Sequence, residues 1–151
     1  KSVRQKLGLE TDDPEGGDRV VCLKNTYVMP GSPIYNGMVG TLESVWEEGE
    51  HWYAASVAFA DEERQFEGLI SRHQFNKPET ISSVPGLEPK KIGERFDYGY
   101  ALTVHKSQGS QAKTVLLFEE RFPKSNDEDW RRWLYTAVTR ARENLYIVGK
   151  D

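Results

Sequence analysis

The sequence holds one cysteine, Cys22, two methionines and three histidines in 151 residues. A lone thiol excludes a disulfide framework, and its place inside VVCL, Val20 to Leu23, marks it as a buried, inert side chain compatible with a reducing compartment. The histidines, His51, His73 and His105, share no metal-ligand spacing with one another or with Cys22, which speaks against a zinc site and leaves the metal expectation at none. No apolar run approaches the roughly 20 residues that span a bilayer, and the basic opening KSVRQK is not followed by a hydrophobic signal segment. The chain therefore reads as soluble and cytoplasmic, with no membrane partner. It also lacks a GxxxxGK[ST] phosphate loop: Gly149-Lys150-Asp151 has neither the loop before it nor the hydroxyl after it. Internal repeats and low-complexity tracts are absent.

With 37% hydrophobic and 11% aromatic residues, the chain can bury a real core as one ordinary domain or two small ones. Its formal net charge of -4 hides an asymmetry. Glu10 to Ile70 holds 13 acids and 3 bases, a balance of -10, whereas Ser71 to Asp151 holds 11 acids and 14 bases, a balance of +3. Ordinary solvated charge would account for this. Two surfaces with different partners would too, the C-terminal one being the better suited to an anionic ligand. The chain begins without Met and stops on LYIVGKD, directly after a core-like strand, and so reads as a piece of a longer polypeptide.

Lys1 to Leu9 suits a short helical segment, and TDDPEGGD, Thr11 to Asp18, a turn-rich linker. β-branched and aromatic residues then predict strands at Arg19–Leu23, Met38–Trp46, His51–Phe59 and Arg64–Ile70. Turn signals separate them: PGSP at 30–33, Asn36-Gly37, EEGE at 47–50 and ADEE at 60–63. Short strands with short hairpins point to a small closed sheet, and an SH3-like barrel has the matching size. Asn76 to Phe96 carries no sustained period and reads as a connection. Tyr100–Val104, Thr114–Phe118 and Leu145–Val148 are continuous apolar runs, as in strands covered on both faces of an α/β sheet. Before the last run, Trp130, Trp133, Leu134, Ala137, Val138 and Ala141 follow helical spacing behind a capping box of Ser125 and Glu128. On that helix Arg140 and Arg142 fall on the two flanks of the apolar stripe.

Two stretches carry the chemistry. LTVHKSQGSQ, Leu102 to Gln111, sets polar and special residues between two apolar runs. A turn leaving a parallel strand can present free backbone N–H groups to an anion, Gly109 permits close approach, and His105, Lys106, Ser107 and Gln108 supply donors suited to phosphate oxygens. A solvent loop without a ligand fits the same pattern. In YTAVTRARENLYIV, Tyr135 to Val148, Arg140 and Arg142 close the helix; an arginine there serves a helix end, a surface ion pair, or the stabilisation of charge in phosphoryl transfer. LLFEE, Leu116 to Glu120, superficially suggests a magnesium-holding strand end, but a strand turning into solvent is the plainer reading.

Together, ALTVHKSQGSQAKTVLLF and WLYTAVTRARENLYIV resemble motifs V and VI of superfamily 1 DNA helicases, nearest the RecD-like and Dda-like group that moves 5′ to 3′. GDRVVCLKN and YNGMVGTL look like the start of the SH3-like barrel inserted in the second motor domain of that group. The resemblance implies a mixed α and β fold: an N-terminal helical or linker segment over 1–15, an SH3-like barrel over 16–75, a linker over 76–96, and a partial RecA-like second motor domain over 97–151. It implies that Arg140 is an arginine finger reaching the γ-phosphate of ATP, that Gly109 and Gln111 lie at the nucleotide edge, and that Thr103 and His105, with Lys106 as helper, face single-stranded DNA. Gln111 departs from the Glu of many relatives and is followed by Ala112 and Lys113, yet it keeps an acceptor for a ribose.

By the same resemblance, ATP and Mg2+ are cofactors of the parent, held mainly by a first motor domain, with none expected in the fragment, which should not hydrolyse ATP alone. Expected partners are single-stranded DNA, the rest of the helicase chain and exonuclease subunits, in DNA repair, recombination or replication. The rival readings are a noncatalytic SH3-like module that binds protein or nucleic acid, and a helicase subunit of an exodeoxyribonuclease complex; no carboxylate cluster for DNA cleavage is present. Trp46, Trp52 and Tyr53 suit stacking on bases by type, but core packing is the plainer role for most of them, and the acidic barrel region disfavours broad phosphate contact.

Overall fold

The computed structural model describes residues 3–9, 11–27, 33–59, 65–121 and 126–149. It is mixed but sheet-rich, with α1 (Val3–Lys6), β1 (Arg19–Cys22), β2 (Val39–Glu48), β3 (Trp52–Phe59), β4 (Gln65–Ser71), β5 (Phe96–Tyr98), β6 (Ala112–Phe118), α2 (Asp127–Val138) and β7 (Ala141–Val148). Short 3-10 turns sit at Arg72–Gln74 and Pro89–Lys91. The chain divides into two compact units, Lys1–Ala101 and Leu102–Asp151. No helix among the described residues is long and apolar enough to cross a membrane.

In the first unit an antiparallel sheet runs in the order β4-β3-β2-β1-β5. Strict alternation in WYAASVAF sends Tyr53, Ala55, Val57 and Phe59 of β3 inward. The sheet curls until its edges meet. Phe66 of β4 and Phe96 of β5 stand at opposite ends of the strand order, yet their rings lie 5.0 Å apart. Ser71 N–H donates to the Glu94 carbonyl and Glu94 N–H to the Leu69 carbonyl, both at 2.9 Å, which satisfies edge groups that would otherwise be open. Leu42, Val20, Val57, Ile70 and Ile92 are fully buried in this interior. Gly40 is required by packing, since a Cβ there would lie 2.6 Å from Val57 Cγ1 and 2.7 Å from the Ala58 carbonyl oxygen.

The segment read as a polar linker, Thr11 to Asp18, is built into this unit. Asp18 is wholly buried; its carboxylate accepts from Arg4 Nε at 2.7 Å and Arg4 Nη2 at 2.8 Å, and from Glu15 N–H and the Tyr100 hydroxyl, each at 2.8 Å. Gly17 N–H and Leu42 N–H then tie the segment to β2 beside its bulge at Leu42/Ser44. Tyr100–Val104 does not form a strand. The local pattern favoured one, but Tyr100 is held at β1 by its hydroxyl, which accepts the Arg19 N–H at 3.1 Å, and a run buried on both faces needs ladder partners that are not found among the described residues. The 76–96 stretch contributes Val84, Ile92 and Phe96 to the buried set.

In the second unit β6 and β7 pair in parallel, with α2 between them in sequence. The helix starts at Asn126, whose side chain accepts the Asp129 N–H, one residue later than the Ser125 box; Ser125 itself lies outside the described residues. It ends sooner than its apolar spacing predicts. Thr139 caps it, its hydroxyl donating to the carbonyls of Tyr135 (2.9 Å) or Thr136 (3.1 Å), so Arg140 sits in the following turn and Ala141 and Arg142 belong to β7. Pairing with β6 captures this backbone: Ala112 N–H donates to the Arg140 carbonyl at 2.9 Å.

Candidate functional site

The polar stretch between the apolar runs folds as a single tight turn closed by its own hydroxyls. Thr103 accepts the Ser107 N–H on its carbonyl (3.0 Å) and the Lys106 N–H on its hydroxyl (3.2 Å). Ser107 Oγ donates to the Val104 carbonyl at 2.8 Å, and Ser110 Oγ to the Ser107 carbonyl at 2.9 Å. Gly109, at φ +85, turns the chain out of this coil, a conformation that disfavours any residue with a Cβ. The backbone N–H groups of Lys106, Ser107, Gln108 and Ser110 are therefore consumed inside the turn, contrary to the expectation that they face an anion. What the turn offers outward is side chains: Thr103 and His105 are exposed and Lys106 is half-buried.

Arg140 fastens this turn to the end of α2. Its Nε donates to the Thr136 carbonyl (3.0 Å), Nη2 to Thr139 Oγ1 (3.1 Å) and Nη1 to the Ser110 carbonyl (3.1 Å). These three oxygens are neutral, so none of them cancels the guanidinium charge, and two of its five N–H donors are unused by these bonds. Gln111 Nε2 reaches the Thr139 carbonyl at 3.4 Å. Ser110, Gln111 and Arg140 thus meet at the C-terminal end of α2, with Gly109 one residue before Ser110 in the turn.

His105 and Gln108 face elsewhere. With Val104 they line a cleft of about 390 Å³ against Trp130, Trp133, Asp129, Arg132 and Thr136 of α2. The two tryptophans entered the sequence reading only as part of an apolar face; their i, i+3 spacing beside a histidine-bearing turn was the available signal. Ser110 was invisible to sequence, because its backbone carbonyl does the work.

Tyr53 is buried and its hydroxyl donates to Asp13, and burial pushes its phenol up to about 12. Trp52 is half-buried, its indole N–H on the Lys91 carbonyl at 2.8 Å. Trp46 is 54% exposed and so is not core. His51 and His73, unrelated in sequence, approach to 2.9 Å between Nδ1 and Nε2. No group of three or more His, Cys, Asp or Glu able to hold a metal occurs among the described residues.

Residues 98–148, which contain the turn, α2 and the strands that join them, match the UvrD-like helicase C-terminal domain. Across 96% of its length the chain is 47% identical to the ATP-dependent RecD2 DNA helicase of Deinococcus radiodurans, covering 24% of that protein. It is 44% identical over 54 residues to the RecBCD enzyme subunit RecD of Mycobacterium tuberculosis, which is 34% of this chain and 9% of that protein. It is also 29% identical to the conjugal transfer protein TraA of Rhizobium radiobacter over 88% of this chain and 9% of that protein. The chain spans about a quarter or less of the length of these relatives. The sequence resemblance stands: over nearly its whole length this chain is similar to part of a RecD-like helicase, and residues 98–148 match a helicase C-terminal domain.

Proposed function

We propose that the intact protein is an ATP-dependent DNA helicase that steps along single-stranded DNA in the 5′ to 3′ direction, and that this chain supplies its SH3-like barrel and part of a RecA-like second motor domain. The curled five-stranded sheet with bridged edges supports the barrel assignment, and the parallel β6-α2-β7 unit supports the motor assignment. One observation carries the functional reading: Arg140, on motif VI, donates directly to the Ser110 carbonyl of the motif V turn. A group that senses the terminal phosphate and a turn that touches DNA are then one hydrogen-bonded body.

In this reading Arg140 is the arginine finger, its charge uncompensated by its three neutral acceptors and so suited to a phosphate anion. Gly109 and Gln111 lie beside it at the nucleotide edge. Thr103 and His105, with Lys106, meet the DNA strand from the outward side of the same turn. ATP with Mg2+ supplies the phosphoryl-transfer chemistry and is held mainly by a phosphate-binding loop that this sequence does not contain, so these 151 residues alone are inactive. Arg140→Ala in the full-length protein should lower ATP turnover by about 10³-fold or more while single-stranded DNA binding persists. Normal hydrolysis by that variant would overturn the assignment.

A further inference from the structure

The outer face of the first unit's sheet carries an apolar stripe that neither the core nor the helicase reading uses. Register places Trp46 of β2 opposite Ala54 of β3, and Ala54 opposite Leu69 of β4, so the three lie in one row across three strands. Trp46 is 54% exposed and Leu69 43% exposed, with the short Ala54 between them, which leaves a shallow trough flanked by two large side chains. The rows on either side are acidic. Ser44, Ser56 and Glu67 form one, and Glu48 with Trp52 begins the other. The bulge adds Glu43, whose carboxylate accepts from the neutral donors Ser56 Oγ at 3.2 Å and Gln65 Nε2 at 2.6 Å. Among the described residues, no lysine or arginine occupies a registered position in these three rows; Arg19, opposite Thr41 of β2, stands one row beyond Ser44, Ser56 and Glu67, and Lys91, whose carbonyl meets Trp52, places its ammonium 3.5 Å from Glu88.

We propose that this face is a docking surface for a partner polypeptide segment that presents apolar side chains flanked by Lys or Arg. A tryptophan beside an aliphatic residue in a trough is the arrangement that anchors a protein interface, and a rim of carboxylates steers and orients a basic partner. The same rim excludes the two other occupants. A second copy docked through this face would set Glu43, Glu48 and Glu67 against their own counterparts, and a nucleic acid laid on the stripe would bring phosphates to three carboxylates, with no lysine or arginine registered in the stripe or its two adjoining rows to receive them. The proposal does not rest on the helicase reading, because it uses neither the motif V turn nor Arg140.

The test is a tryptophan-fluorescence and calorimetric titration of the chain with two synthetic peptides of equal length, one alternating Leu and Lys and one alternating Leu and Glu, and with oligo(dT). The Leu/Lys peptide should bind, and Trp46→Ala and Leu69→Ser should each weaken it about tenfold or more. Glu67→Lys should weaken it several-fold, roughly as expected for loss and reversal of a rim charge. Should Trp46→Ala perturb folding, judged by its melting temperature, Glu67→Lys and Glu48→Lys carry the test. Leu/Lys binding unaffected by either apolar variant would mean general attraction to an acidic protein and would sink the proposal. So would Trp46-dependent binding of oligo(dT) or of the Leu/Glu peptide, or a self-association that Trp46→Ala abolishes.

Discussion

The two units spend their apolar residues in opposite ways. The first wraps Phe66, Phe96, Leu42, Ile70 and Ile92 inside a sheet whose edges meet, while the second buries only Leu117 and Ala137 among its described apolar residues and leaves Leu116, Phe118, Tyr146 and Ile147 about half or more exposed. Order in the second unit comes instead from polar bonds: the hydroxyls of Thr103, Ser107, Ser110 and Thr139, and the three arms of Arg140. The motifs read as functional lie in the unit that depends least on a core of its own. Hydrogen bonds fix geometry at small net stability, whereas apolar burial supplies most of the stability of a fold.

That contrast can be broken most sharply at Asp18. Asp18→Ala would strand the Arg4 guanidinium, whose side chain is 11% exposed, and should destabilise the first unit by about 3–5 kcal/mol in urea unfolding. An effect below about 1 kcal/mol would mean that the N-terminal segment is not part of the folded unit. Next in size, Gly40→Val should cost about 3 kcal/mol, since Val57 and the Ala58 carbonyl occupy the space of its side chain. Hydrogen exchange should then show protection lost across β1 to β4.

Alkaline pH tests the same core by titration. Burial raises the Cys22 thiol to about 11, and burial also raises Tyr53, Tyr98 and Tyr100. Each is neutral when protonated and holds its proton to higher pH in the folded state. Their contribution is therefore complete below the unfolded-state values and is lost as pH rises through the folded ones, from about 9 upward. For Cys22 the loss should be on the order of 2 kcal/mol between pH 9 and 11. Flat stability over that range would contradict the closed interior. The smallest expected effect lies in the second unit, where Thr139→Val removes the hydroxyl that caps α2 and braces Arg140; about 1 kcal/mol should be lost, with the Arg140 signals shifting in NMR spectra.

Local pattern made much of this legible. Alternation in HWYAASVAF and β-branched runs in RVVCL and MVGTLESVW placed three strands within one or two residues, and the tryptophan spacing located α2. The pattern failed where a distant partner outbid it. Tyr100–Val104 has strand composition, but its backbone finds no ladder and Tyr100 is tied to Asp18 and Arg19. Helical spacing carried on to Ala141, but strand pairing with β6 and the Thr139 cap ended the helix at Val138. The polar, turn-rich Thr11 to Asp18 looked like solvent linker because nothing in it announces that Arg4 will neutralise Asp18 inside the protein.

By itself, then, the sequence determined which residue types stand together along the chain: the two helicase-like motif stretches, the alternating strands, the amphipathic helix and the acidic balance of Glu10 to Ile70. Those follow from spacing, which is a local property. Only the tertiary structure decided that Arg140 reaches Ser110, that Asp18 is buried, that His51 meets His73 and that Trp46 faces outward beside Leu69. Each joins positions far apart in sequence or depends on which face of the sheet closes inward, and period along the chain carries no information about either.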